Sequence, residues 1–192
     1  MPRRTFATIP VFAGLAVIVM VVAGILLISG YSALTSEVHN ELASQKIYFP
    51  ASTSKAITAL PGADATAMSK YSGQLMTTGA QAETYADHFL PAQIKSIGGG
   101  QSYFQLVNQV AKAGHDKSLF IDEAGVFRED AIQSQLLNAF WYSKIAGIML
   151  IGSIVAFAGA ALLLILAAFG LARRIMLEAD ALLKPAPRTA VA

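Results

Sequence analysis

Two stretches of this chain contain no Asp, Glu, Lys, Arg or His: Thr5 to Ser36 and Ile145 to Ala172. A helix rises about 1.5 Å per residue, so about 20 apolar residues cross a hydrocarbon core of about 30 Å. Both runs exceed that length, and each is read as a membrane-spanning helix. Composition agrees: 55% hydrophobic and 14% charged residues, with a mean hydropathy of +0.53, are too apolar for an ordinary soluble domain. The predicted fold is mainly α, an antiparallel hairpin of two transmembrane helices with a mostly helical extracytoplasmic domain between them. Its segments are a cytoplasmic N-terminus (1–9), a first span (10–30), the outer domain with membrane-proximal stalk helices (31–144), a second span (145–171) and a cytoplasmic tail (172–192).

The first span, "PVFAGLAVIVMVVAGILLISG", follows the basic start "MPRR", as the apolar core of a signal peptide would. It is longer than the ~7 to 15 residues of such a core, and no A-x-A-like cleavage site precedes the next charge, so it reads as an uncleaved anchor. "RRTF" resembles the core of a twin-arginine signal, but Pro2 stands where Ser or Thr is usual.

Orientation follows the basic residues. Arg3 and Arg4 precede the first span; Arg173 and Arg174 follow the second, with Lys184 and Arg188 beyond. Residues 32–144 hold eight Lys/Arg and ten Asp/Glu, a net charge of −2. The positive-inside rule puts both ends in the cytoplasm and the middle outside, in the plasma membrane. The overall charge of +2 therefore marks topology rather than nucleic-acid binding. Tyr31, Trp141 and Tyr142 fall at the predicted outer boundary, where amphipathic rings favour the headgroup region. The chain has no cysteine, which removes disulfides, thiolate catalysis and Cys-ligated metals.

In the outer domain, Leu34, Val38 and Leu42 form a helical stripe, and Pro50 ends that helix before "IYFP". "PGAD" predicts a turn with Asp64 as N-cap of a helix running to about Thr77. A further helix carries Ala82, Tyr85, Ala86 and Phe89, is bent or ended by Pro91, and stops at "GGG". "QSYFQLVNQVAKAG" places Phe104, Val107 and Ala111 on one face, closing at Gly114. "LFIDEAGVF" reads as a short extended pair around Gly125 or as a loop. From Asp130 one long helix is expected, with Ile132, Leu136, Ala139 and Phe140 facing the Leu34/Val38/Leu42 stripe to form a stalk. In the second span, Gly152, Ala156 and Ala160 make a small-xxx-small pattern for close packing, on the first span or on another protein. The tail "KPAPRTAVA" is compositionally a disordered segment.

"ELASQKIYFP", "AETYADHFL", "GGGQSYFQ" and "VFREDAIQSQLLNAFWYS" resemble the landmarks of a family of actinobacterial two-span membrane proteins, over about Tyr31 to Leu171. Members are often labelled aromatic ring-opening dioxygenases or hypothetical membrane proteins. The resemblance implies a membrane protein of unestablished role. After the position of Phe127 members tend to carry Gly-Glu-x-Leu-Arg-Gly; here Glu129, Asp130, Ala131, Ile132, Gln133 and Ser134 stand there, so roles of that glycine and arginine do not transfer.

A dioxygenase needs oxygen-activating iron, commonly on two His and a carboxylate. His39, His88 and His115 lie 49 and 27 residues apart, unlike a helical or hairpin ligand set. Asp122, Glu123, Glu129 and Asp130 lack the spacing of the helix–loop–helix calcium site and read as an acidic turn before a helix. "SIGGGQS" lacks the lysine and context of a phosphate loop, and no G-x-S-x-G element occurs. No catalytic, cofactor-binding or metal residue is assigned, and no cofactor is expected. The spans carry no ionisable group, which disfavours an independent transport path.

The expected function is therefore an integral-membrane accessory or interaction protein, not an enzyme. It would sit in the lipid bilayer and bind a membrane-protein partner or a second copy of itself, and no nucleic acid. The alternative is an extracytoplasmic sensor that holds a small ligand around Tyr85, Phe89 and Phe104 and signals through a membrane partner. The dioxygenase-type enzyme of the family label stands third.

Overall fold

The computed structural model describes residues 8–113 and 116–183. It is helical: α1 (Thr8–Ser44), α2 (Lys55–Thr58), α3 (Gly62–Ser69), α4 (Gly79–His88), α5 (Leu90–Ile97), α6 (Tyr103–Ala113) and α7 (Lys117–Leu183). Among the described residues the only β pairing is an isolated antiparallel bridge between Tyr48 and Leu75. The chain divides into two compact units, one of Met1–Ser29 with Met149–Ala192 and the other of Gly30–Ile148. The two long helices contribute to both. The residues N-terminal to Thr8, Gly114 and His115, and the "KPAPRTAVA" tail lie outside the described residues, and with them Arg3, Arg4, Lys184 and Arg188.

The first unit is made of the apolar portions of α1 and α7. Both helices are long and apolar enough to cross a membrane, yet only 6% of the most apolar stretch of each is buried. A core helix of a soluble domain would show the reverse. Phe12, Ile18, Leu26, Ile154 and Leu164 all face outward. Where the helices meet, small residues receive large ones. A methyl on Gly24 would lie 2.8 Å from the Phe157 ring, one on Gly152 would lie 3.2 Å from Leu27, and one on Gly159 would run into the Met20 thioether. Ala160 is buried and Ala156 half-buried beside them. Ser153 is also buried, its hydroxyl donating to the Leu150 carbonyl at 2.8 Å, so its polar atom is satisfied within its own helix.

Burial along both long helices repeats every seven residues. In α7 the buried residues Ala139, Ala146, Ser153 and Ala160 are evenly spaced. In α1, Val17, Met20, Gly24, Leu27, Tyr31, Leu34 and Val38 are each buried or half-buried, at alternating steps of three and four. Within each unit this is the 3.5-residue period of coiled-coil packing.

The second unit wraps short helices around the remaining parts of α1 and α7. Leaving α1, the backbone turns at Lys46, whose φ of 52° lies in the left-handed region. Residues 47–49 then run extended. The Phe49 N–H donates to the Gln74 carbonyl (2.9 Å), that of Gly73 to Phe49 (3.1 Å) and that of Met76 to Ile47 (2.9 Å). That pairing explains a departure from expectation. The helix predicted from Asp64 to Thr77 starts instead at Gly62, behind Pro61, and ends at Ser69, because residues 73–76 are held by the 47–49 segment. Gly73, at φ 71°, makes the reversal possible. Asp64 lies in the first turn of α3 rather than capping it.

Helix α4 begins with a capping box: the Thr78 hydroxyl accepts from the Gln81 backbone N–H, and the Gln81 side-chain Oε1 accepts from the backbone N–H groups of Thr77 (2.8 Å) and Thr78 (3.1 Å). Gln81 is itself buried, and its amide donates to the Gln74 side-chain oxygen at 3.1 Å. Helix α4 ends at His88, and α5 restarts with Pro91 in its first turn, where the missing N–H costs no hydrogen bond. Val38, Leu42, Phe49, Ile57, Met68, Met76, Ala82, Ala86, Leu90 and Leu136 make the core, with Ile132 packed at its margin.

Two further expectations are corrected. "LFIDEAGVF" is neither a strand pair nor a loop: α7 begins at Lys117, not near Asp130, and runs through it. Gly125, which suggested a turn, is a helical glycine pressed against Ile97, whose Cγ2 would be 2.8 Å from an added methyl. On α6 the buried residue is Leu106, whereas Phe104 and Ala111 are exposed.

Candidate interaction surface

In the second unit α1 and α7 enclose a groove of about 440 Å³. Its floor is the apolar stripe of Leu34, Val38 and Leu42, completed across the gap by Ala139. Val38, Leu42 and Ala139 belong to the core cluster, so the groove opens directly onto packed interior. One rim carries Glu37, Glu41 and Gln45, each one helical turn after the last; the other carries Gln135, Asn138 and Tyr142. Glu37 and Glu41 are exposed. Among the described residues neither carboxylate forms a salt bridge, the pairs being His88–Asp64, Arg128–Glu129 and Arg174–Glu178. Phe140 is half-buried and lies beneath the Lys144 ammonium, 4.9 Å from the ring centroid. Tyr31 is half-buried, while Trp141 and Tyr142 are exposed.

Of the aromatic residues expected to surround a ligand, Tyr85 and Phe89 are in contact and Phe104 stands apart. Tyr85 and Phe89 stack at 4.7 Å between centroids, and Tyr85 meets Phe49 edge-on at 5.5 Å, with Tyr71 on the other side of Phe49. These rings fill the core rather than wall a cavity. Burial, with a smaller contribution from the Glu129 carboxylate, pushes the Tyr85 phenol up to about 12. Phe104 is 75% exposed on α6 and pairs with Tyr103, which in turn contacts Phe127 at 5.3 Å. Phe120, Ile121 and Phe127 on the first turns of α7 are exposed as well. Sequence periodicity does not show this second apolar surface, because its α7 half reads as a short extended pair or a loop.

The histidines are dispersed. His39 is exposed on α1 and His115 lies outside the described residues. His88 Nδ1 is 2.7 Å from Asp64 Oδ1, a contact joining α4 to α3. The described residues contain no group of three or more His, Asp or Glu arranged to hold a metal ion. Asp122, Glu123, Glu129 and Asp130 lie within α7, and Glu129 accepts from Arg128 at 3.1 Å. Asp116 accepts from the Ser118 hydroxyl and from the Ser118 and Leu119 N–H groups, which start α7 and hold its carboxyl below the usual carboxylate range. A smaller opening of about 430 Å³ near Gly100 is lined by Lys95, Ser102, Asp130 and Gln133.

Comparison with protein-family models, with curated proteins and with solved structures found no match for this chain.

Proposed function

We propose that this chain is a two-span membrane protein whose second unit docks on a larger membrane or envelope complex as a non-catalytic accessory component. The observation that carries the reading is the groove between α1 and α7: an apolar floor opening onto the core, rimmed by carboxylates without cationic partners. A concave site with an apolar base and a polar rim is a form that binding surfaces for other proteins take. The antiparallel hairpin is supported by the small-residue contacts of the first unit. Rising positions in α1 (Met20, Gly24, Leu27) meet falling positions in α7 (Gly159, Phe157, Gly152). The basic residues Arg3, Arg4, Arg173 and Arg174 favour cytoplasmic termini and an outer second unit. In this reading the chain is one of the actinobacterial two-span proteins it resembles, and the ring-opening label does not describe what it does.

The test is purification of tagged full-length protein from its native membrane in mild detergent, with mass spectrometry of whatever accompanies it in stoichiometric amount. A reproducible membrane or envelope partner is expected. A protein that always emerges alone overturns the accessory role.

A further inference from the structure

The groove also specifies what occupies it. Glu37 and Glu41 are one turn apart on an exposed flank, so their carboxylates repeat about every 6 Å along the helix axis. Between them and the opposite rim the accessible apolar surface is chiefly the half-buried Leu34, with Val38 and Leu42 buried beneath the groove at the same four-residue spacing. A surface with this repeat is complementary to another helix, whose apolar stripe would fill the gap over Ala139 and whose flank would carry cations one turn apart. Flanking charge pairs of this kind set partner choice when helices associate side by side.

We infer that the groove receives a juxtamembrane helix of a different membrane protein, bearing an apolar stripe flanked by Lys or Arg. The inference rests on the accessory reading above and deepens it. In that reading the groove begins four residues beyond Gly30 on α1 and ends three residues before Ile145 on α7, within the first turns outside the bilayer. A helix continuing out of a neighbouring span is the element that reaches this level. A second copy of the chain fits poorly, because a two-fold rotation about the membrane normal sets each Glu37/Glu41 rim opposite the neutral Gln135/Asn138/Tyr142 rim, which brings no cation to the carboxylates. An anionic lipid is repelled by the same carboxylates. Gln45, Gln135 and Asn138 add neutral hydrogen-bonding groups along the rims, which satisfy polar side chains of an incoming helix without fixing its charge.

The experiment places a photo-crosslinking amino acid at Asn138 in the full-length chain, in native membranes, and maps the adduct by mass spectrometry. The expected adduct is a helical segment next to a membrane span of another protein, with Lys or Arg one turn apart. Glu37→Lys with Glu41→Lys should lower its yield at least about tenfold, as reversal of two close charge pairs implies. Glu37→Gln with Glu41→Gln should lower it less, and Lys→Glu changes in the captured segment should restore the yield of the charge-reversed chain. Both glutamates are exposed, so unchanged helicity and membrane insertion serve as the folding control. An adduct with a second copy or with lipid, the absence of any adduct, or a yield indifferent to charge reversal overturns the inference. A partner that co-purifies but crosslinks only from other positions, such as Phe120, overturns it while leaving the accessory role standing; loss of every partner overturns both.

Discussion

Gly79, at the start of α4, is packed directly against the side chain of Ser143 on α7, and a methyl at position 79 would also come within 3.2 Å of the Ala139 carbonyl oxygen. One side of this contact is backbone, so no rotamer change relieves it. Gly79→Ala is expected to destabilise the second unit by about 1–3 kcal/mol, the usual range for forcing a methyl into a filled site. Thermal unfolding in detergent checks this. A neutral or stabilising result would mean that α4 and α7 are less closely joined than described.

Gln81 is 6% exposed and serves several partners at once, accepting from Thr77 and Thr78 and donating to Gln74. Gln81→Leu keeps the volume but removes these part-buried hydrogen bonds, and should cost about 0.5–1.5 kcal/mol. Gln81→Glu retains the acceptors and loses only the donor to Gln74, so it should cost less near neutral pH. Equal losses from both variants in chemical denaturation would show that the capping oxygen is not what matters.

These two residues also show what the sequence conveys and what it hides. The end of α1 before Pro50 and the break between α4 and α5 are legible because proline acts locally, through its missing N–H and its fixed φ. The apolar lengths of α1 and α7 are legible for a similar reason, since they depend only on composition. Gly79 and Gly125 are different. Each looks like a turn or helix-start signal, but each is glycine because another element, α7 or Ile97, occupies the space of a side chain. The early start of α7 has a local signal in Asp116, whose carboxylate caps the helix, although Gly125 nine residues on has the appearance of a break. The shortness of α3 had no local signal, because it depends on pairing with residues 47–49, more than twenty positions away. The groove is half legible: the Leu34/Val38/Leu42 stripe is periodic, but its opening depends on Ala139 facing it from the far end of the chain.

Tyr85 gives the second unit an alkaline sensitivity. Its phenol ionises at about 10 in an unfolded chain and is pushed up to about 12 here, first by burial and then by Glu129. A group raised on folding contributes its full stability below the unfolded value and loses it as pH rises through the folded one. Stability is therefore expected to fall between about pH 10 and 12. Tyr85→Phe should flatten that part of the profile, and Glu129→Gln should shift it slightly downward in pH. Denaturation midpoints across this range, with tyrosinate absorbance followed in parallel, decide the matter; identical alkaline profiles for the wild type and Tyr85→Phe would assign the loss to other groups.

The contact of His88 with Asp64 is a modest tie between α3 and α4, because both side chains are about one-third exposed. Solvent screening limits such a pair to roughly 0.2–1 kcal/mol. A double-mutant cycle with His88→Ala and Asp64→Ala should return a coupling in that range, weakened by salt. A coupling of several kcal/mol would indicate that the pair is drier than its exposure implies.

The antiparallel arrangement proposed for the two apolar helices can be tested by exploiting the absence of cysteine from the chain. A methyl at Gly152 would stand 3.2 Å from the Leu27 side chain, so Leu27→Cys with Gly152→Cys brings two thiols within reach of each other. Mild oxidation in native membranes should close an intramolecular disulfide, seen as faster migration on a non-reducing gel. Leu27→Cys with Ile165→Cys, a pair displaced along α7 by more than three turns, should not close. Gly24→Leu should weaken the same seam, because the Phe157 ring occupies the space that the new side chain needs, and Phe157→Ala should partly restore disulfide yield in that background. Efficient closure of the displaced pair, or disulfides only between copies, would place the two helices in another register or in different molecules.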